Sequence, residues 1–133
     1  MKSAGVARAV ETFFAEAGDG VAAVYLFGSV ARGDDGANSD IDIAVLFTTP
    51  PPATLRGQPY DLAETLTSRL GRPVDLTALN SAPVDLRIRV LREGHLVVDR
   101  APADRIRFEV RTRNEFWDIE PRLQEYRRPR KTA

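Results

Sequence analysis

The chain has 133 residues, 19 basic and 19 acidic side chains, and a formal net charge of +0 at pH 7. This length predicts one domain that buries a core of its own. Because the sequence contains no Cys and one His, disulfides and thiolate metal sites are excluded, a structural zinc site is disfavoured, and a reducing cytoplasm is the expected location. No apolar run approaches the ~20 residues that a membrane span needs. The balanced charge also gives no reason to expect direct nucleic-acid binding.

The first third of the chain alternates between helix and strand patterns. Apolar residues at helical spacing predict an amphipathic helix over Ser3–Ala17, ended by the glycines at 18 and 20. Val21–Phe27 and Ile41–Phe47 are short apolar runs that predict two buried strands, and the second carries apolar residues on both faces, as central strands do. The polar segment Gly28–Ser39 between them predicts a loop with room for a short helical turn.

The rest of the chain continues the alternation after a proline-rich loop that reaches about Pro59. The patterns predict a helix over 62–70 closed by Gly71, a strand over 74–79, and a helix to Glu93 that is capped by Asn80-Ser81 and started by Pro83. A short strand over 95–98 and a long helix from Pro102, bent or ended near Pro121, complete the order. We therefore expect an α/β (α+β) domain with a small mixed sheet and helices packed on one side of it.

Two acidic residues open the second predicted strand. Asp40 and Asp42 are two apart, so their side chains leave the same face of the strand. Neighbouring carboxylates repel each other, and a cation relieves that repulsion. Mg²⁺ prefers a few carboxylates together with substrate phosphates. If the strand that carries Asp75 lies beside this one, Asp75 can serve as a third ligand and as the group that accepts a proton from an attacking hydroxyl.

A phosphate-binding segment precedes the acidic pair. Gly28 has no Cβ and lets the backbone approach a phosphate closely, and Ser29 offers a hydroxyl and an N–H. Arg32 would add positive charge near a triphosphate. The alternative is a solvated acidic loop made of Asp34, Asp35, Asp40 and Asp42, with no bound ligand.

Gly28-Ser29, ten residues, and then Asp40-x-Asp42 resembles the signature of the DNA polymerase β-like nucleotidyltransferase superfamily. The short chain, Ala31-Arg32-Gly33 and Ser39 resemble its minimal (MNT) branch. Three further segments, 69–76, 90–94 and 114–118, are similar to the MntA-type adenylyltransferase antitoxins of HEPN/MNT toxin–antitoxin systems.

This resemblance implies a polymerase β-like fold and transfer of AMP from ATP to a tyrosine of a HEPN ribonuclease toxin, in a hetero-oligomer. It implies that Gly28 and Ser29 contact the nucleotide, and that Asp40, Asp42 and Asp75 bind Mg²⁺, with two ions expected. Two alternatives stay open: an antitoxin that only binds and masks the toxin, and a nucleotidyltransferase that acts on a small molecule. The expected domain spans residues 1–126, followed by a basic, disordered tail at 127–133.

Overall fold

The computed structural model describes residues 3–33, 40–49 and 58–127. Within these ranges the chain forms five helices and four strands. Their order is α1 (Ser3–Ala17), β1 (Val21–Phe27), α2 (Gly28–Arg32), β2 (Ile41–Phe47), α3 (Gln58–Leu70), β3 (Val74–Ala78), α4 (Val84–Glu93), β4 (His95–Asp99) and α5 (Pro102–Arg127). The predicted Asp34, Asp35 and Ser39, and residues 128–133 of the predicted tail, lie outside the described residues. None of the described helices is long and apolar enough to cross a bilayer.

The four strands form one mixed sheet in the order β3-β2-β1-β4. β1 pairs antiparallel with both β2 and β4, whereas β2 and β3 run parallel. The two central strands are the two apolar runs of the sequence, and every residue of β1 is buried. A central strand needs apolar side chains on both faces because protein covers both.

Helices cover both faces of this sheet, which corrects the expectation of helices on one side. One core cluster joins α1, α3 and α2 to the side chains of Ile41, Ile43, Val45 and Phe47. The second cluster, on the opposite face, joins Val90 of α4 and Phe108 of α5 to Tyr25, Ala44 and Leu46. We call these the α1/α3 face and the α4/α5 face. The correction follows from β2 itself, since its apolar residues point both ways and each set needs a cover.

Two helix boundaries differ from the sequence pattern. Asn80 does not cap α4, whose N-cap is Pro83 without a side-chain hydrogen bond. The Asn80 amide instead accepts from the N–H of Phe47 at 2.9 Å and donates to its carbonyl at 2.9 Å, which satisfies the end of β2. The long helix α5 does not end at Pro121 but continues to Arg127, the first residue of the predicted tail.

Candidate functional site

One end of the sheet gathers the residues that the sequence singled out. In the antiparallel β1–β2 pair Phe27 stands opposite Asp42, and in the parallel β2–β3 pair Asp42 stands beside Asp75. The end of β1 and the starts of β2 and β3 therefore lie side by side at one end of the sheet, which we call the site edge. β3 does lie beside β2, the condition on which the inclusion of Asp75 depended.

The carboxylates point to the α4/α5 face. Asp42 lies on the same face of β2 as Ala44 and Leu46, since every second residue of a strand points the same way. Ala44 and Leu46 belong to the core cluster under α4 and α5. Adjacent residues of paired strands share a face, so Asp75 points the same way. Asp40 precedes the first residue of β2 and is exposed, as is Asp75, whereas Asp42 is half-buried. The site is thus a shelf at the edge of the sheet, open on the Asp40 and Asp75 sides.

The electrostatics of this shelf centre on Asp42. Burial raises the pKa of the Asp42 carboxyl, and the negative charges of Asp75 and Asp40 raise it further. The positive charges of Arg89 and Arg32 act in the opposite direction. A carboxyl crowded in this way binds a cation readily, because the cation removes the repulsion that ionisation creates.

Gly28 is required at its position by two separate observations. Its φ is +75°, a region that residues with a Cβ rarely adopt. A Cβ added there would fall on Oδ2 of Asp42, with the Asp42 Cγ at 2.9 Å. The sequence predicted that a glycine was needed for a close approach to phosphate. The structure adds that the same glycine leaves space for the carboxylate of Asp42.

The short helix α2 begins directly at Gly28. The first N–H groups of a helix have no acceptor within it, and in α2 these are the N–H groups at Gly28 and Ser29, beside Asp42. Val30 and Ala31 anchor α2 in the core, and Arg32, the last residue of α2, is exposed. The positive charge of Arg32 lowers the pKa of Asp42.

Two residues beyond the predicted set border this edge. His95 opens β4 opposite Leu26, and its Nε2 lies 3.2 Å from the carbonyl oxygen of Ala31. This contact ties β4 to α2. Arg89 of α4 is the second one. Sequence reasoning missed it because nothing in the pattern separates it from the other arginines of the exposed helix faces.

The side chains at this end of the sheet are of the type that binds Mg²⁺, but they do not enclose an ion on their own. Carboxylate oxygens are the preferred protein ligands of Mg²⁺, which keeps waters and uses substrate phosphates for its other positions. Among the residues that the structure describes, no three His, Cys, Asp or Glu side chains converge closely enough to hold a metal ion. The register of Asp42 and Asp75 sets two carboxylates side by side, and a Mg²⁺ held there would need further ligands from water or from a phosphate.

The sequence of the chain is similar to known nucleotidyltransferases. The sequence model of the family described as polymerase beta, nucleotidyltransferase matches residues 10–103. The protein adenylyltransferase MntA of Shewanella oneidensis is 42% identical over 71 residues, 53% of this chain. That stretch covers 49% of MntA, so the chain matches about half the length of this relative.

Solved structures match over a larger share of the chain. A crystal structure of a toxin–antitoxin with AMP-PNP contains a chain that superposes with a TM-score of 0.75 at 28% identity, covering 90% of this chain and 94% of that one. A structure of the tri-AMPylated Shewanella oneidensis HEPN toxin in complex with MNT antitoxin gives a TM-score of 0.71 at 25% identity, with coverage of 93% and 94%.

Proposed function

Because the chain belongs to the polymerase beta nucleotidyltransferase family, we propose that it transfers AMP from ATP to a tyrosine hydroxyl of a HEPN-type toxin and acts as its antitoxin. The observation that carries this proposal is the register of Asp42 with Asp75 directly beside Gly28. The similarity to MntA and to toxin–antitoxin structures supports the choice of a protein acceptor.

In the proposed reaction the tyrosine oxygen attacks the α-phosphorus of ATP. A new P–O bond forms, the bond from the α-phosphorus to the oxygen bridging to the β-phosphate breaks, and pyrophosphate leaves. Asp75, the exposed carboxylate at the edge, accepts the hydroxyl proton. The N–H groups at Gly28 and Ser29 bind phosphate oxygens, and Arg32 adds positive charge.

Mg²⁺, when bound, would neutralise the charge of the phosphates, and Asp40, Asp42 and Asp75 would hold it. The half-buried position of Asp42 between the other two carboxylates makes it the ligand that gains most from such a cation. The open sides of the shelf leave room for a macromolecular acceptor to present its hydroxyl.

The test uses the full chain, ATP, MgCl₂ and the HEPN-type toxin of the same locus. We expect the mass of the toxin to rise by whole AMP units, and we expect Asp42→Asn and Asp75→Asn to slow transfer by at least ~100-fold. Absence of any AMP addition by the wild type would overturn the proposal.

Asp61→Asn is the matched control for these variants, since it removes the same charge from an exposed position in the first turn of α3. α3 leads into β3 at its C-terminal end, so Asp61 lies ~14 Å back along the helix from Leu70. We expect Asp61→Asn to transfer AMP at the wild-type rate.

The second candidate function is neutralisation by binding alone. Large apolar side chains on α5 favour it, because Ile106, Val110 and Trp117 are 51%, 50% and 66% exposed, and exposed apolar surface suits contact with another protein. The double variant Asp40→Asn, Asp42→Asn separates the two functions. Full neutralisation of the toxin by that variant would establish masking, whereas lost neutralisation with retained binding would establish AMP transfer.

A further inference from the structure

Arg89 is a cationic side chain on α4, the helix that crosses the same face of the sheet as the carboxylate shelf. α4 joins the end of β3 to the start of β4 and crosses the α4/α5 face, the same face to which Asp42 and Asp75 point. Its residue Val90 is fully buried against this face, and Leu86 packs beside it. Arg89 immediately precedes Val90 and is exposed, about 100° around α4 from the buried side.

A second side of α4 is occupied by α5. Arg87 donates to Thr112 at 3.1 Å and to Glu115 at 2.5 Å, and the guanidinium of Arg92 lies 4.7 Å from the ring centroid of Phe116. Because successive helical residues turn by about 100°, Arg89 lies ~160° around α4 from Arg87, on the side opposite the contact of Arg87 with α5.

The side of α4 that carries Arg89 is the side nearer to β2 and β3. α5 is fastened to β1, since Tyr25 donates to Glu109 at 2.6 Å and Phe108 belongs to the same cluster. The sheet order β3-β2-β1-β4 then leaves β2 and β3 on the other side of α4. At the C-terminal end of α4, an added Cβ on Gly94 would lie 3.1 Å from the carbonyl oxygen of Leu26. The last turn of α4 is thus at the end of β1, where Gly28 begins the phosphate-binding segment.

The charge of Arg89 reaches the shelf. It opposes the influence of Asp75 and Asp40 on Asp42. Its pairing within α4 is loose, at 3.8 Å from Glu93 with a side chain 59% exposed, so the guanidinium is available for exchange to a stronger anionic partner. An exposed pair of this kind is worth little, whereas a guanidinium bound to phosphate gains charge-assisted, bidentate hydrogen bonds.

We infer that Arg89 binds the triphosphate of the nucleotide from the α4 side of the cleft, across from the N–H groups of Gly28 and Ser29. This inference rests on the proposed nucleotidyl transfer and makes Arg89 a specificity-determining residue for triphosphate over monophosphate. In the free protein the guanidinium balances the carboxylates, and on nucleotide binding it exchanges Glu93 for phosphate oxygens.

The test measures the affinity of the full chain for AMP-PNP and for AMP in MgCl₂ by calorimetry. For Arg89→Ala we expect the Kd of AMP-PNP to rise roughly 10- to 100-fold, and the Kd of AMP to change by less than about threefold because AMP lacks the outer phosphates. Arg89→Lys keeps the charge without the fork and should fall between wild type and Arg89→Ala.

Arg111→Ala is the matched control, because Arg111 is an exposed arginine on α5. It should bind both nucleotides like the wild type, and both alanine variants should unfold at the wild-type temperature without nucleotide. Wild-type affinity of Arg89→Ala for AMP-PNP, or equal loss of AMP and AMP-PNP, would overturn the inference while leaving the proposed function in place. A wild type that binds no AMP-PNP would overturn both.

Discussion

Replacing Gly28 by alanine perturbs the site through one methyl group. The backbone of Gly28 has a φ of +75°, and an L-residue in a left-handed conformation costs about 1–2 kcal/mol. The added Cβ would also fall on Oδ2 of Asp42 and lie 3.1 Å from its Cβ. The carboxylate must move by about 1 Å to restore ordinary contact distances.

The two effects can be separated with Gly20→Ala. Gly20 has a φ of +78° and nothing within 4 Å of an added Cβ, so it carries the backbone cost without a collision. For a domain of this size each kcal/mol of lost stability lowers Tm by roughly 3–5 °C. We therefore expect the Tm of Gly20→Ala to lie below that of the wild type by one to two times this amount. The Tm of Gly28→Ala should be lowered at least as much, because the added methyl group also displaces Asp42.

Activity should distinguish the variants sharply. A misplacement of ~1 Å at a reacting centre costs on the order of 100-fold in rate, so Gly28→Ala should lose AMP transfer to that extent and Gly20→Ala should keep it. The assay is AMP incorporation into the toxin, measured below the Tm of both variants. Equal transfer rates for the two variants would refute the argument that the space left by Gly28 positions Asp42.

Two further predictions concern stability. In Asp42→Asn the protein should gain stability at neutral pH, because burial and the neighbouring carboxylates raise the pKa of Asp42 in the folded state. Because the pKa is higher in the folded state, the stability of the wild type falls as the pH rises through that pKa, and the gain in Asp42→Asn should vanish in acid, where Asp42 is protonated. Urea unfolding at several pH values, in buffer without metal or nucleotide, measures this gain. A gain that does not depend on pH would contradict the prediction. In Asn80→Ala the N–H and carbonyl of Phe47 lose both amide partners. We expect a loss of about 2 kcal/mol in urea unfolding, and a change within ~0.5 kcal/mol would show that water replaces the amide.

Asp42→Asn is expected to raise stability and to slow AMP transfer, and these opposite effects have one physical origin. Three carboxylates gathered at one sheet edge destabilise the free protein through repulsion and burial. In the proposed function the same arrangement provides the place where a cation and a polyphosphate bind. Functional sites commonly carry such a local cost, which ligand binding offsets.

The sequence alone determined the first helix and the two central strands, and it predicted which residues form the site. Helical spacing predicted α1 over Ser3–Ala17, and apolar runs predicted β1 and β2 with the bounds that the structure shows. Period-two alternation also put Asp40 and Asp42 on one side of the chain before any fold was known. These features depend on neighbours within a few residues, which is the range over which periodicity and propensity act.

The tertiary structure decided which of these residues meet. The parallel register that sets Asp42 beside Asp75, the contact between Gly28 and the Asp42 carboxylate, and the approach of Arg89 all join segments far apart in the chain. Asn80 shows the same limit, because a helix-cap pattern gave way to a pairing with Phe47, 33 residues away. Local pattern cannot specify such contacts, since strand order and helix packing depend on how the whole chain buries its two apolar faces.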